Sequence, residues 1–293
     1  MGQSRSRRAA LLAACPMCIF CGGQTAATTI EHCPPRSMFR ERAWPEGFEF
    51  AACLKCNGGS SNEDLMVAFL AHLGGRDPHV LERGKGLMYQ IDRQFPGVLA
   101  KMFSKKATEA RADARRLGIR PQPGQTYQQL GIVDVPEEMH RCVEIFAAKL
   151  TKAIFYMKMG APFAADGGIQ FQWFTNAQRL EHGRIVLLDA LAGLAAMSAP
   201  VARSGRDLKD QFDYLYSVDE SRELHVLQVA FGEVFGFVSI FSQVPGRLEA
   251  MDDRLAERFK GEQKKSPFKW INSNREKNLN AARLSEVARR KNA

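Results

Sequence analysis

Two cysteine pairs, Cys18-Ile19-Phe20-Cys21 and Cys53-Leu54-Lys55-Cys56, constrain this chain more than anything else in it. A Cys-x-x-Cys turn offers two thiolates from one tight bend, and two such turns supply the four ligands of a tetrahedral zinc. A shared ion forces residues 18–21 to meet residues 53–56, so the segment between them closes into a loop whatever its own preferences. Gly22 and Gly23 follow the first pair and suit such a turn. Cys15 and Cys18 form an overlapping third pair, in which Cys15 competes with Cys21; the pair that runs into Gly-Gly fits better. Cys33 and Cys142 read as small buried residues. Seven cysteines, an odd number, in this spacing argue for metal binding in a reducing cytoplasm and against a disulfide framework.

The closed loop carries the chemistry. Glu31-His32 ends a short β-like run, and Asn57 directly follows the second pair. A neutral imidazole can take a proton from water attacking a phosphodiester, which makes His32 the candidate general base. Glu31 and Asn57 offer hard oxygens suited to Mg²⁺ or Mn²⁺, an ion that would polarise the phosphate and stabilise the leaving oxygen. Arg36, Arg40 and Arg42 follow in a loop with Phe39 and Trp44, placed for phosphate contacts. His72, His79, His140, His182 and His225 have no comparable surroundings and read as structural or surface residues.

Taken together, Cys-x-x-Cys, then Glu31-His32-Cys33-Pro34-Pro35-Arg36-Ser37, then Cys-x-x-Cys-Asn57 resemble the HNH endonuclease family, over residues 18–57. The resemblance implies a ββα-metal fold with a structural four-cysteine zinc. It also implies hydrolysis of phosphodiester bonds in DNA, with His32 as base and a catalytic Mg²⁺ or Mn²⁺ on Glu31 and Asn57. Residues 142–160 are more weakly similar to the region after the nuclease module of some bacterial HNH-like proteins. One position departs from the pattern. The family carries an Asn shortly before the second knuckle, where it orients the catalytic loop; here Phe48 stands there, with Glu49 beside it. Glu31 also replaces the commoner Asp. The departure opens a second reading: a catalytically inactive zinc module used for nucleic-acid or protein interaction, in a phage or defence setting.

Composition bounds the rest. The chain has 293 residues, 45% of them apolar and 25% charged, enough for a sizeable core. The longest apolar candidate, 185–197, is broken by Asp189 and reads as a buried helix, so no membrane partner is expected. The net charge of +9 lies largely at the ends: Arg5, Arg7 and Arg8 in residues 1–14, and ten Lys or Arg against three Glu in residues 260–293. These read as a mobile basic arm and a basic tail, able to hold a polyanion such as double-stranded DNA. Residues 101–120 add seven basic residues against two acids.

The expected fold class is α+β. An N-terminal zinc-stabilised ββα-metal module (15–75) has strands near 28–31 and 48–52 and a helix from Ser61 whose capping-box signals are Ser60 to Glu63 and Ser61 to Asp64. A helical segment follows (76–120), then a linker at 121–129 rich in Pro and Gly. The last folded region (130–259) is a helical and antiparallel-sheet domain. Its long helix runs from Pro136 to Gly160, with Val143, Phe146, Leu150 and Ile154 on one face, and strand-like runs lie at 169–174, 212–217, 224–231 and 234–241, the last two joined as a hairpin at Gly232-Glu233.

Overall fold

The computed structural model describes residues 2–73, 78–177, 200–249 and 269–272. Helix α1 (Gly2–Ala14) opens the chain, where the sequence reads as a mobile arm. A run of Arg, Ala and Leu has high helix propensity. Two of its arginines also find partners: Arg7 pairs with Glu49 at 2.9 Å, and Arg8 donates to the Thr28 carbonyl at 3.0 Å. Part of the basic charge expected to meet a polyanion is thus engaged by the protein itself.

Strands β1 (Thr29–His32) and β2 (Glu49–Ala52) pair antiparallel, with Thr29 opposite Ala52 and His32 opposite Glu49. Short helix α2 (Leu54–Gly58) and helix α3 (Ser61–His72) follow, giving the expected strand, strand, helix order. α4 (Pro78–Gln94), α5 (Val98–Phe103) and α6 (Ala107–Arg116) form the helical segment. Part of its basic stretch is paired internally. Lys101 pairs with Glu138, and Lys105 with Asp113 and Asp134, while Arg116 lies 3.4 Å from Asp113.

Helix α7 (Glu137–Met159) is the hinge of the architecture. It stops where Gly160 adopts a left-handed φ of 71°, a conformation that suits glycine. One flank packs on α3, the other on the main sheet. That sheet contains β3 (Gly168–Thr175), β6 (Asp213–Val218), β7 (His225–Phe231), β8 (Phe235–Ser242) and β9 (Lys269–Asn272), in the order β6-β7-β8-β3-β9. Every pair recorded in it is antiparallel. β7 alternates buried and half-buried residues as a one-sided strand should, whereas central β8 is buried throughout. The buried Thr151 hydroxyl of α7 donates to Ser239 of β8 at 2.9 Å. A small ribbon, β4 (Ala202–Arg203) with β5 (Arg206–Asp207), lies outside the sheet.

One apolar cluster runs from Cys18 and Phe20 through α3 and α7 into Phe231, Phe237 and Phe241 of the sheet. The cysteine-knuckle region and the sheet region therefore share a core. Phe48 is part of the reason. It is buried, with its ring edge-on to Phe212 at 5.4 Å and to Tyr214 at 6.0 Å, so the position expected to hold a polar Asn is a packing anchor between β2 and β6. The helix expected at 185–197 lies outside the described residues. So does most of the expected basic tail, apart from Lys269–Asn272, which forms a sheet strand against β3. Among the described residues, no helix is long and apolar enough to cross a membrane.

Candidate metal centre and adjoining arginine pocket

The first knuckle is a tight hairpin turn. Met17 bridges to Ala26, Cys18 N donates to Thr25 O at 2.8 Å, and Gly23 N returns to Cys18 O at 3.0 Å. Gly22 and Gly23 take φ of 68° and 73°, left-handed values that side chains rarely adopt. The second knuckle begins α2: Cys53 is its N-cap, and its sulfur accepts from Cys56 N at 3.4 Å. The closure demanded by the spacing has occurred, for the sulfurs of Cys18, Cys21, Cys53 and Cys56 lie within 4.8 Å of one another. A zinc tetrahedron with bonds of about 2.3 Å has sulfur edges of about 3.8 Å, so small side-chain shifts complete it. Cys15 is not in the cluster, and Cys33 is buried as expected. A hydrogen bond from Cys56 holds the Cys18 thiol down at about 4, while burial works against it. The same contact, with burial, pushes Cys56 up. Four soft donors so crowded can hold a metal such as zinc.

The hairpin sends Glu31 and His32 apart, because consecutive strand residues face opposite sides. His32 meets a loop held by aromatic stacking. Its ring stands edge-on to Trp44, centroids 4.9 Å apart, and its Nε2 lies 2.5 Å from Arg36 Nη2 and 3.3 Å from Glu49 Oε1. Towards Arg36 this nitrogen can only accept and towards Glu49 only donate, so the two contacts call for opposite tautomers. Burial lowers the His32 pKa, the Arg36 charge lowers it further, and Glu49 opposes them. Trp44 carries the Arg36 guanidinium at 3.6 Å and that of Arg203 at 3.8 Å. Two planar groups so close to one ring centre must take opposite faces. Arg203 also donates to the Trp44 carbonyl at 3.0 Å, so the β4 ribbon clamps this loop from outside.

Glu31 turns inward. It is 6% exposed, and its Oε2 lies 3.1 Å from Lys149 Nζ on α7. The same ammonium donates to the Ser60 hydroxyl and sits 3.7 Å from Asp64 Oδ2. Ser60 is the α3 N-cap but makes no side-chain cap bond; its hydroxyl serves Lys149 instead. Burial raises Glu31 to about 7 and Asp64 to about 6, in each case against the pull of Lys149. Burial also disfavours the ammonium, but Asp64 and Glu31 together push Lys149 above its ordinary value. One cation between two desolvated carboxylates keeps its proton firmly, while the carboxylates resist ionising together.

Asn57 donates its amide to Thr29 Oγ1 at 2.8 Å and to Ile30 O at 3.1 Å, tying α2 to β1. Of the two groups expected to share a divalent ion, the Glu31 carboxylate faces an ammonium, and the Asn57 side chain is held to β1 through its amide nitrogen. The residues present do not fit a catalytic Mg²⁺ or Mn²⁺ on Glu31 and Asn57.

The three arginines separate. Arg36 and Arg42 line an open pocket of about 340 Å³ with Glu31, His32, Pro35 and Ser37. Arg40 points elsewhere: its guanidinium pairs with Asp210, and its backbone N donates to Gln211 Oε1 at 2.8 Å. It tethers the loop to the sheet region. Of the remaining histidines, His72 is buried against Ala68 O at 2.7 Å and His225 against the Tyr216 hydroxyl at 2.8 Å, both structural; His182 lies outside the described residues. The sequence assigns no site role to Lys149 or Arg203, and Asp64 reads there only as a capping-box acid. Lys149 alone left a signal, as a charge inside the apolar run Phe146-Ala147-Ala148-Lys149-Leu150.

No family model, curated protein or solved structure matches this chain. What its own geometry defines is a mixed protein of helices and antiparallel sheet with a four-cysteine cluster near the N-terminus.

Proposed function

We propose that this chain is a zinc-organised ββα protein that binds the phosphate backbone of duplex DNA without cleaving it. The observation that carries the reading is the pairing of Glu31 with Lys149 at 3.1 Å, which gives the carboxylate expected to bind a catalytic ion a permanent cationic partner. The His32 ring nitrogen is likewise flanked by Arg36 and Glu49. What remains accessible is a cationic recess: Arg36 braced on Trp44, and Arg42 beside it. Guanidinium groups pair with phosphate oxygens in bidentate fashion, and a neutral imidazole next to them adds a hydrogen bond but no repulsion.

The test is fluorescence anisotropy on a labelled duplex at several salt concentrations, together with plasmid cleavage in Mg²⁺, Mn²⁺ and EDTA. Arg36→Ala and Arg42→Ala should each weaken binding and reduce the log–log salt slope by about 0.9 for each phosphate no longer neutralised. The plasmid should stay intact. Unchanged binding in both variants would remove the recess from consideration.

One observation favours a second reading, HNH-type hydrolysis with His32 as general base. His32 is neutral and lines the same pocket as the two arginines and Glu31, so a phosphate that drew Arg36 away would leave Nε2 free to accept a proton. Metal-dependent cleavage lost in His32→Ala would establish it.

A further inference from the structure

The poor fit of a catalytic ion on Glu31 and Asn57 has a positive counterpart in the cluster around Lys149. Glu31, Ser60 and Asp64 come from β1, from the start of α3 and from its first turn, and all turn an oxygen towards one point on α7. Glu31 Oε2 is buried, and its close partner among the described residues is the Lys149 charge. Glu63, also buried, adds negative potential that Asp64 feels. Three hard oxygen donors converging from two elements, in a buried setting, is the chemistry of a divalent-cation site. Here an ammonium stands at its centre.

We propose that Lys149 is the resident cation of this site. The Glu31, Ser60 and Asp64 oxygens form a divalent-cation site that the chain fills with its own side chain, and removing the ammonium opens the site to Mn²⁺ or Mg²⁺. Geometry allows the exchange. The Nζ to carboxylate distances are 3.1 and 3.7 Å. A divalent ion draws oxygens to about 2.1–2.6 Å, so each side chain would close in by roughly 1 Å. Access exists as well: Ser60 and Lys149 both line a cavity of about 510 Å³ that also borders Cys21, Cys53 and Cys56. The substitution is chemically sensible. A fixed charge of +1 holds the hairpin to α3 and α7 at any metal concentration, but it offers no open coordination position to a phosphate. The proposal deepens the non-cleaving reading and rests on it.

The experiment is Mn²⁺ titration of the zinc-loaded full-length protein, followed by electron paramagnetic resonance of free Mn²⁺. Wild type should show no discrete Mn²⁺ site. Lys149→Ala should gain one, binding roughly tenfold to a hundredfold more tightly than wild type. Mn²⁺ should also raise the melting temperature of this variant and leave wild type unmoved. Adding Glu31→Gln to Lys149→Ala should abolish the gain. Lys149→Met, closer in shape, serves if the alanine variant does not fold. A folded Lys149 variant that binds Mn²⁺ no better than wild type would overturn the proposal. So would a wild type that binds one Mn²⁺ lost in Glu31→Gln, and that measurement holds even if neither Lys149 variant folds. No nucleic acid is present, so failure here is distinct from failure of the DNA-binding reading.

Discussion

Glu31→Gln isolates the energetic consequence of placing a carboxylate under α7. Burial lifts the Glu31 pKa from 4.5 to about 7 in the folded protein, despite Lys149. A group whose folded pKa is raised contributes stability that is fully present below the unfolded value and is lost as pH rises through the folded one. The window therefore runs from about pH 4.5 to about pH 7, and wild type should lose stability across it on account of this residue. A shift of about two and a half pKa units corresponds to roughly 3 kcal/mol, at about 1.4 kcal/mol per unit. Gln keeps the shape and cannot ionise, so the variant should lack this slope. The assay is urea unfolding of both proteins, zinc-saturated, at pH 5 and pH 8. Zinc loss in acid affects the two alike and cancels in their difference. Relative to wild type, Glu31→Gln should be more stable at pH 8 than at pH 5, by a few kcal/mol. A stability difference that is constant with pH would refute the argument that burial outweighs the ammonium. A difference of opposite sign would show that Lys149 dominates and that Glu31 is ionised throughout.

Two further outcomes follow from the fold. The purified protein should carry one zinc per chain by elemental analysis, and Cys53→Ser should lower both zinc content and melting temperature, since metal binding is folding free energy in such a unit; full folding of the metal-stripped chain would count against a structural zinc. Gly236→Ala should destabilise by more than about 2 kcal/mol in thermal or urea melts, because overpacking a full core is costly. The added Cβ would lie 2.4 Å from both the Phe174 ring and the Val229 carbonyl, and a near-neutral effect would mean that β8 gives way more easily than its burial suggests.

The sequence was most legible where its signals were local or lay in the cysteine spacing. The knuckles were fixed by spacing and glycines, the end of α7 by Gly160, and the β7–β8 hairpin by alternation and a turn. The surroundings of Glu31 were not legible, because its partner Lys149 lies 118 positions further along the chain and only the packing of α7 on α3 brings the two together. Arg36 and Arg40 show the same limit. Both read as phosphate ligands; one lines the pocket and the other is tied to Asp210, and only the tertiary structure tells them apart. The basic stretch of residues 101–120 read only as a surplus of positive charge, because Glu138 and Asp134, which pair Lys101 and Lys105, lie outside it. Phe48 was noticed as an absence of Asn. Its positive role, anchoring β2 to Phe212, needed the sheet to be seen.

Helix α7 serves two masters with one set of turns. Lys149 and Lys152 reach the knuckle side, the first to Glu31 and the second to the Phe20 carbonyl at 3.3 Å, while Phe146 and Phe155 plug the sheet. The hairpin and knuckles are therefore not a transplantable cassette. A fragment cut after residue 75 would leave Glu31 and Asp64 without their counter-charge and Phe20 facing water. Grafting this unit onto another scaffold, or exchanging it for a relative's, would require carrying α7 along, and the sheet that α7 rests on with it. A substitution on α7 facing the sheet can in the same way shift Lys149 and, through Glu31, the arginine pocket.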